Sequence, residues 1–270
     1  MSYLRSSLCI DNRIVYELLT LGGIDLRGDA QAEPLALLGQ PKRFALLAYL
    51  ALARPRGVHR RSSLLAVFWP ELGPDRGRRA LRQALHGLRH SLGRGLIRSS
   101  GDEEIRLDAS QFRCDALRFE AAITAGQLAE AVELYQGPLL PGFFVDGAAG
   151  FERWLEDERA RLRAMVVGAA WRLAADAEAR GEPGAAVVWA RLAVQHSDHG
   201  ECGYRGLIAL LARIGDRAGA IAAYLQLRRR LAHDFDCTPS PETESLLHSI
   251  RAHAPVPRPA ARRARSVTTR

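Results

Sequence analysis

The part of the chain after about residue 125 contains a spacing of glycine and alanine residues that occurs three times. In each copy a glycine is followed, five positions later, by an alanine and, nine positions later, by a tyrosine or a second alanine. The three copies are Gly126, Ala131 and Tyr135; Gly181, Ala186 and Ala190; and Gly215, Ala220 and Tyr224. Glycine readily ends a helix, and a small alanine lets a neighbouring helix approach closely. The spacing therefore predicts helix pairs, each of which buries its apolar face only against its neighbours.

The distance between two of the copies indicates which helical array the pattern fits. Gly181 and Gly215 are 34 positions apart, and 34 residues is the period of tetratricopeptide repeats. The alternative is an ordinary alanine-rich helical domain, in which such spacings arise by chance. We favour the repeat because three copies occur and two of them are in register.

Charge is unevenly distributed along the chain. The sequence has 38 Lys and Arg against 30 Asp and Glu, a net charge of +8, and Lys42 is its only lysine. Between Arg54 and Arg98 there are eleven arginines and two acids, a net of +9, whereas residues 126–182 have six arginines and ten acids, a net of −4. A GC-rich genome explains the preference for arginine over lysine but not this clustering. The first half is therefore a candidate to bind a polyanion.

Strand, helix and hairpin signals follow one another in the first half. One or two short strands are expected within Ile14–Leu26, and a weak strand at Glu33–Gly39. Three helices are expected next: from Pro41 to Arg54, after Val58 as far as Trp69-Pro70, and from about Arg76 to Leu92. A β-hairpin is expected from Leu96–Arg98 and Ile105–Leu107. Strands, three helices and a hairpin are the order of a winged helix-turn-helix.

The expected fold class is therefore mainly α, with an N-terminal winged helix-turn-helix of α+β type followed by an all-α tetratricopeptide-like domain. We expect a leader at residues 1–13, the winged-helix domain at 14–110 and the tetratricopeptide-like domain at 111–253, with only helices after about Ser110. The tail at residues 254–270 has three prolines, five arginines and no acid, so we expect it to be disordered.

The third expected helix has one apolar face and one face of hydrogen-bond donors. At 100° per residue its leucines fall within about 40° of one another and predict a core stripe; they are Leu81, Leu85, Leu88 and Leu92. The opposite face has long polar side chains and no carboxylate. Arginine suits guanine edges and glutamine suits adenine edges in the major groove. We therefore expect base-reading contacts with double-stranded DNA from Arg79, Arg82, Gln83 and His86.

Other basic residues begin the expected helices or lie in the hairpin, where they are suited to contact phosphates. The expected phosphate contacts are Lys42, Arg43, Arg60, Arg61, Arg76, Arg78, Arg89, Arg98 and Arg106.

Several motifs spread along the chain occur together in one known family. In the first half they are Leu21-Gly22-Gly23, the run Leu46–Leu52, Phe68-Trp69-Pro70, and the leucine stripe through Leu92-Gly93. In the second half they are Leu134–Gly142, Phe151–Leu155 with Glu158-Arg159, and Gly215-Asp216 with Ala220 and Tyr224. Over about Val15 to Ala252, the chain resembles the Streptomyces antibiotic regulatory protein (SARP) family of transcriptional activators.

The resemblance implies an OmpR-type winged helix joined to a bacterial transcriptional activation domain. It implies the small form of the family, because the sequence has no GxxxxGK[ST] loop and therefore no ATPase module of that kind. It also implies a cytoplasmic activator that binds repeats near a promoter, as a homodimer on DNA, and contacts RNA polymerase.

No pattern in the sequence predicts catalysis, a cofactor or a metal site, and we expect the chain not to be an enzyme. GxSxG and a Gly-rich phosphate loop are absent from the sequence. His196, His199 and Cys202 have metal-like spacing but no evident fourth ligand, so we interpret them as structural. The sequence contains no run of eighteen apolar residues, so it predicts no membrane span. Four well-separated cysteines fit a reducing compartment, and we expect a cytoplasmic location.

Two functions stay open from the sequence. The first is a DNA-binding transcriptional activator that recruits RNA polymerase. The second is a tetratricopeptide adaptor whose basic N-terminal half binds an acidic protein or RNA. A footprint on duplex DNA that is absent with RNA distinguishes them.

Overall fold

The structure is a computed structural model that describes residues 16–28, 37, 39–197 and 200–252. The helices are α1 (Pro41–Leu52), α2 (Arg61–Phe68), α3 (Pro74–Leu92), α4 (Asp115–Thr124), α5 (Leu128–Leu134), α6 (Ala149–Ala179), α7 (Pro183–His196), α8 (Glu201–Arg213), α9 (Arg217–Phe235) and α10 (Pro241–Ala252). The strands are β1 (Tyr16–Leu19), β2 (Asp25–Arg27), β3 (Val58–Arg60), β4 (Ile97–Ser100), β5 (Glu104–Leu107) and β6 (Phe112–Cys114). This is the mainly α fold that the sequence predicts, with a small α+β region near the N-terminus.

The chain divides into two compact units, Met1–Ala175 and Asp176–Arg270. The division falls within α6, whereas the sequence places a domain boundary after residue 110. The expected leader, the expected basic tail and most of the weak strand at Glu33–Gly39 lie outside the described residues. Among the described helices, none is long and apolar enough to cross a membrane.

In the first unit, three helices and a hairpin follow the order expected of a winged helix. The hairpin β4–β5 is antiparallel, and β3 pairs with β5 to give the strand order β3-β5-β4. Helix α3 packs against α1 and α2. It begins with Pro74 in its first turn and ends before Gly93, whose φ of +82° suits a residue without a Cβ atom.

The structure corrects two expectations about secondary structure. Helix is not continuous after about Ser110, because Phe112–Cys114 forms β6 parallel to β1, and residues 135–148 are not helical. The second helix, expected directly after Val58, begins only at Arg61, because His59 and Arg60 belong to strand β3. Each of these strands has three residues, which is too short to show a period of two. Their conformation is set by pairing with residues distant in the sequence.

An aromatic cluster joins the first two helices of the first unit to the beginning of α6. The ring of Phe68 stacks on Phe151 with centroids 5.4 Å apart, and the ring of Tyr49 lies edge-on to Trp154 at 4.8 Å. Gly150 lets the backbones approach, because a Cβ atom there would lie 2.9 Å from the Val67 backbone. The Phe-Trp-Pro and Phe-Glu-Arg-Trp-Leu motifs of the sequence therefore share one core.

The segment 137–142 is held beside the residue that follows β1. The Leu140 N–H donates to the Thr20 carbonyl oxygen at 2.7 Å. The buried Asp115 carboxylate accepts from the Thr20 N–H at 2.8 Å, the Thr20 hydroxyl at 2.6 Å and the Leu21 N–H at 2.8 Å. Buried backbone donors are costly when unpaired. Residues after 110 therefore complete both the sheet at β1 and the hydrogen bonds of the residues that follow it.

The second unit contains helices α7 to α10 and has the repeat packing expected from the sequence. Ala186, Ala190, Ala220 and Tyr224 are all buried. The Asp216 side chain caps α9 by accepting from the Gly219 N–H at 2.8 Å. The three alanines and Tyr224 are buried in a unit whose successive helices pack against each other, α7 on α8 and α8 on α9, which is the arrangement of a tetratricopeptide-like domain.

Candidate nucleic-acid interface

Helix α3 separates apolar and polar side chains as its sequence predicts. The stripe is buried, with exposed fractions of 2% or less for Leu81, Leu85, Leu88 and Leu92. The expected base-reading residues are all exposed on the same helix; they are Arg79, Arg82, Gln83 and His86. Because the leucines fix the rotation of α3, these donors share its solvent face.

Most of the positive charge on the exposed face of α3 has no acidic partner on the same helix. Its one acid is Asp75 in the first turn, which lies 3.4 Å from an Arg78 nitrogen. Within the part of the chain that the structure describes, no carboxylate forms an ion pair with Arg79 or Arg82. A solvated helix normally mixes both signs of charge, so this face is suited to a polyanion.

Arg43, at the start of α1, reaches across α3 at Gly87. A Cβ atom on Gly87 would lie 2.6 Å from the Arg43 guanidinium carbon. The two residues line a groove of about 610 Å³ together with Arg82, Gln83, His86 and His90. Because Gly87 has no side chain, the guanidinium of Arg43, an expected phosphate contact, can lie beside the expected base-reading residues.

Arg89 lies at the edge of the α3 face and connects it to the hairpin. Its Nε donates to the Ile97 carbonyl oxygen at 2.9 Å. Burial lowers the pKa of the Arg89 guanidinium, and the nearby positive charge of Arg61 lowers that pKa further. Arg89 and His86 line a second groove of about 780 Å³, which extends to Ser99. Arg61 and Arg89, expected separately as phosphate contacts, are thus brought together.

The two arginines of the hairpin are paired with carboxylates of the same region. Arg98 contacts Asp108 at 3.0 Å, and Arg106 contacts Glu104 at 3.4 Å. Hydrogen bonds from Ser110 hold the pKa of the Asp108 carboxyl below its usual range, and attraction to Arg98 adds to this. Arg98 and Arg106 lie opposite each other in the hairpin register. Part of their charge is therefore offset within the protein.

The remaining expected phosphate contacts are spread more widely. Arg76 and Arg78 are exposed in the first half of α3, and Arg60 is exposed on β3. Lys42 is engaged elsewhere, because its ammonium lies 3.4 Å from the Gly147 carbonyl oxygen and 6.0 Å from the centre of the Trp69 ring.

Three functional candidates were not singled out from the sequence. Ser99 accepts hydrogen bonds from arginines on two helices. Asp102 and Glu103, at the hairpin turn, line a groove of about 320 Å³ with Arg61 and Arg82. The acidic turn is visible in the sequence, but its position beside α3 depends on how the hairpin folds back.

The residues with metal-like spacing near the start of α8 are His196, His199 and Cys202. His199 lies outside the described residues. Among those that the structure covers, no group of three or more His, Cys, Asp and Glu side chains is close enough to hold a metal ion.

Comparison with known proteins assigns the second half of the chain. Residues 103–251, more than half of the sequence, match the family model of the bacterial transcriptional activator domain. The activator-domain part of the predicted resemblance is thereby confirmed. No curated protein matches the chain.

A solved structure shares the fold of most of the chain. It is Mycobacterium tuberculosis EmbR, solved in complex with a low-affinity phosphopeptide, with a TM-score of 0.60 and 24% identity. The match covers 90% of this chain and 66% of the EmbR chain, so this chain spans less than two thirds of its relative. The family match, which spans more than half of the chain, shows that the chain belongs to the bacterial transcriptional activator domain family.

Proposed function

We propose that the chain is a sequence-specific transcriptional activator that inserts α3 into the major groove of double-stranded DNA. The observation that carries the proposal is the exposed face of α3, where Arg79, Arg82 and Gln83 lie opposite a buried leucine stripe. The major groove of B-form DNA is wide enough to admit an α-helix.

The side chains of α3 divide by chemistry into two expected groups. Arg79, Arg82, Gln83 and His86 read base edges, since a bidentate arginine–guanine or glutamine–adenine contact discriminates by about 1–3 kcal/mol. Arginines at the edges of the face contact phosphates and contribute affinity that depends on salt but not on sequence. The groove beside Arg43 and Gly87 supports this division, because it joins a phosphate candidate to the reading face.

The activator half has a different role in this proposal. Family membership supports recruitment, in which a bound protein raises the occupancy of RNA polymerase at a promoter. We propose that the chain binds repeated sites as a homodimer in the cytoplasm and that it uses no catalytic residue or cofactor. Retention of purified polymerase on a promoter fragment, with and without the full chain, measures recruitment directly.

The test of DNA reading uses the full chain and a duplex selected from a random library. We expect binding at least about 1,000-fold tighter than to a scrambled duplex. The double variant Arg79→Ala and Gln83→Ala should reduce that ratio by about tenfold or more. Arg191→Ala, an exposed arginine on α7, is the control and should leave the ratio intact. If the double variant also preserves the ratio, α3 is not the reader, and Arg98 or Arg106 of the hairpin becomes the better candidate.

The adaptor alternative is tested with RNA in the same assay. The major groove of A-form RNA is deep and narrow and does not admit α3. We therefore expect duplex RNA of the selected sequence to compete poorly. Equal or tighter binding to RNA, or to an acidic protein at the same site, would favour the adaptor.

A further inference from the structure

One hydroxyl group holds two arginines of different helices together. Ser99 lies on β4, and its Oγ accepts from the Arg89 Nη2 at 2.8 Å and from the Arg61 Nη2 at 3.2 Å. Arg61 is the first residue of α2, and Arg89 lies in the last turn of α3. Three elements thus converge on a single oxygen atom, whose own O–H remains available as a donor.

The two guanidinium groups are not neutralised by the protein. Within the described residues, neither Arg61 nor Arg89 forms an ion pair with a carboxylate, although Asp102 and Glu103 line the groove on which Arg61 also lies. The Arg61 Nε is buried and has no hydrogen-bond partner. Like charges held close together and an unpaired buried donor are both unfavourable. An anion bound between the guanidinium groups offsets the repulsion between them.

A phosphate group fits this arrangement better than a carboxylate from the protein. Arginine forms paired N–H···O bonds with planar or tetrahedral oxyanions, and a phosphate offers enough oxygens for two arginines and a hydroxyl. The site also adjoins the groove lined by His86, His90 and Arg94, so its ligand lies beside the proposed reading face.

We propose that Arg61, Arg89 and Ser99 form a clamp for one phosphate of the DNA backbone, with Ser99 as its positioning residue. The proposal rests on the proposed function and names which phosphate contacts matter most. It separates the clamp from Arg98 and Arg106, whose charges are already paired with Asp108 and Glu104. Free inorganic phosphate has the same chemistry and is the other source to distinguish.

The first arm of the test measures how affinity for duplex DNA depends on salt. For the full chain, we compare Arg89→Gln with Arg106→Gln, which removes an equal charge from the hairpin. Arg89→Gln should weaken cognate and scrambled duplexes alike and flatten the slope of log K against log [salt] by about one. Arg106→Gln should change the slope less. If Arg89→Gln keeps the wild-type affinity and slope while the wild type binds DNA, the clamp is refuted and the proposed function survives.

Ser99 is tested by removing and restoring its hydroxyl. Ser99→Ala removes no charge, but it should weaken both duplexes several-fold because the two arginines are no longer held in position. Ser99→Thr keeps the hydroxyl and should restore binding. Equal loss in both variants would contradict a positioning role for the hydroxyl.

The second arm uses inorganic phosphate without DNA. Melting temperatures of the wild type and Arg89→Gln are compared in phosphate and in chloride at equal ionic strength. We expect no phosphate-specific shift at millimolar concentration, because a duplex supplies many further contacts. If the wild type binds no duplex, the proposed function fails. A phosphate shift lost in Arg89→Gln would then assign the clamp to free phosphate, and its absence would refute the clamp.

Discussion

The Arg159 guanidinium is hydrogen-bonded to the main chain of Leu140, with Nη2 2.5 Å from the carbonyl oxygen. Its Nε also donates to the Leu139 carbonyl oxygen at 2.8 Å. Leu140 has a φ of +46°, which is uncommon for a residue with a side chain. The arginine of α6 thus holds an unfavourable backbone turn in place. Two motifs that stand 20 residues apart in the sequence are therefore parts of one local structure.

Arg159→Ala should lower the free energy of unfolding by about 2–3 kcal/mol, because two carbonyl oxygens lose a charged donor. Arg159→Lys should lose less than Arg159→Ala, because the ammonium remains a charged donor although it lacks the two-pronged geometry of the guanidinium. Urea denaturation followed by circular dichroism measures both changes. The control is Arg153→Ala, an exposed residue of the same helix, which should stay within about 0.5 kcal/mol. Similar losses in Arg159→Ala and Arg153→Ala would argue against the proposed support of the turn.

The extent of the first unit predicts which fragments fold. A fragment ending at residue 110 lacks β6, the Asp115 carboxylate that binds Thr20, and the Phe151 and Trp154 rings. We expect this fragment to show no cooperative urea transition. The fragment 1–175 should unfold cooperatively and keep the preference for cognate duplex, with weaker binding if dimer contacts are lost. Cooperative unfolding of the shorter fragment would show that the contacts it lacks are dispensable.

Periodic features of this chain could be predicted from sequence, and features that depend on distant pairing could not. The leucine stripe of α3 follows the helical period, and the repeat alanines stand at a fixed distance after a glycine, so local spacing reveals both. Strand β6 has three residues and is defined by its pairing with β1. The arginine-rich stretch between Arg54 and Arg98 also depends on distant contacts. Arg54 and Arg56 belong to this stretch, but both bind Glu120, more than 60 residues away.

The same distinction applies to the candidate interface. The exposed donors of α3 follow from helical geometry, since the rotation of the helix is set by its leucines. The pairing of Arg98 with Asp108 and the convergence of Arg61 and Arg89 on Ser99 depend on how the hairpin packs against the helices. Counting charges could not separate arginines that are already paired from those that are not.

Packing in the second unit should depend on Ala220. Its side chain is fully buried, so Ala220→Leu should overpack the contact of α9 and cost about 1–3 kcal/mol. Ala222→Leu makes the same change two residues later at an exposed position and should stay within about 0.5 kcal/mol. Thermal unfolding followed by circular dichroism compares the two. Equal melting temperatures would count against the repeat packing.

The acidic turn of the hairpin should limit binding to DNA of any sequence. The Glu103 carbonyl oxygen accepts from the Arg61 N–H at 2.9 Å, which fixes the turn beside α2. The Asp102 and Glu103 side chains line the same groove as Arg78 and Arg82. Carboxylates at this position repel the phosphates that the arginines attract, and the repulsion does not depend on the base sequence.

The double variant Asp102→Asn and Glu103→Gln should therefore bind a scrambled duplex several-fold more tightly at about 50 mM salt, with a smaller gain at about 200 mM. Because base contacts are unchanged, the cognate duplex should gain no more than the scrambled one. The control is Glu130→Gln with Glu133→Gln, two exposed residues of α5. This control changes the net charge by the same amount away from α3. An equal gain in the control would assign the effect to overall charge and not to the position of the turn.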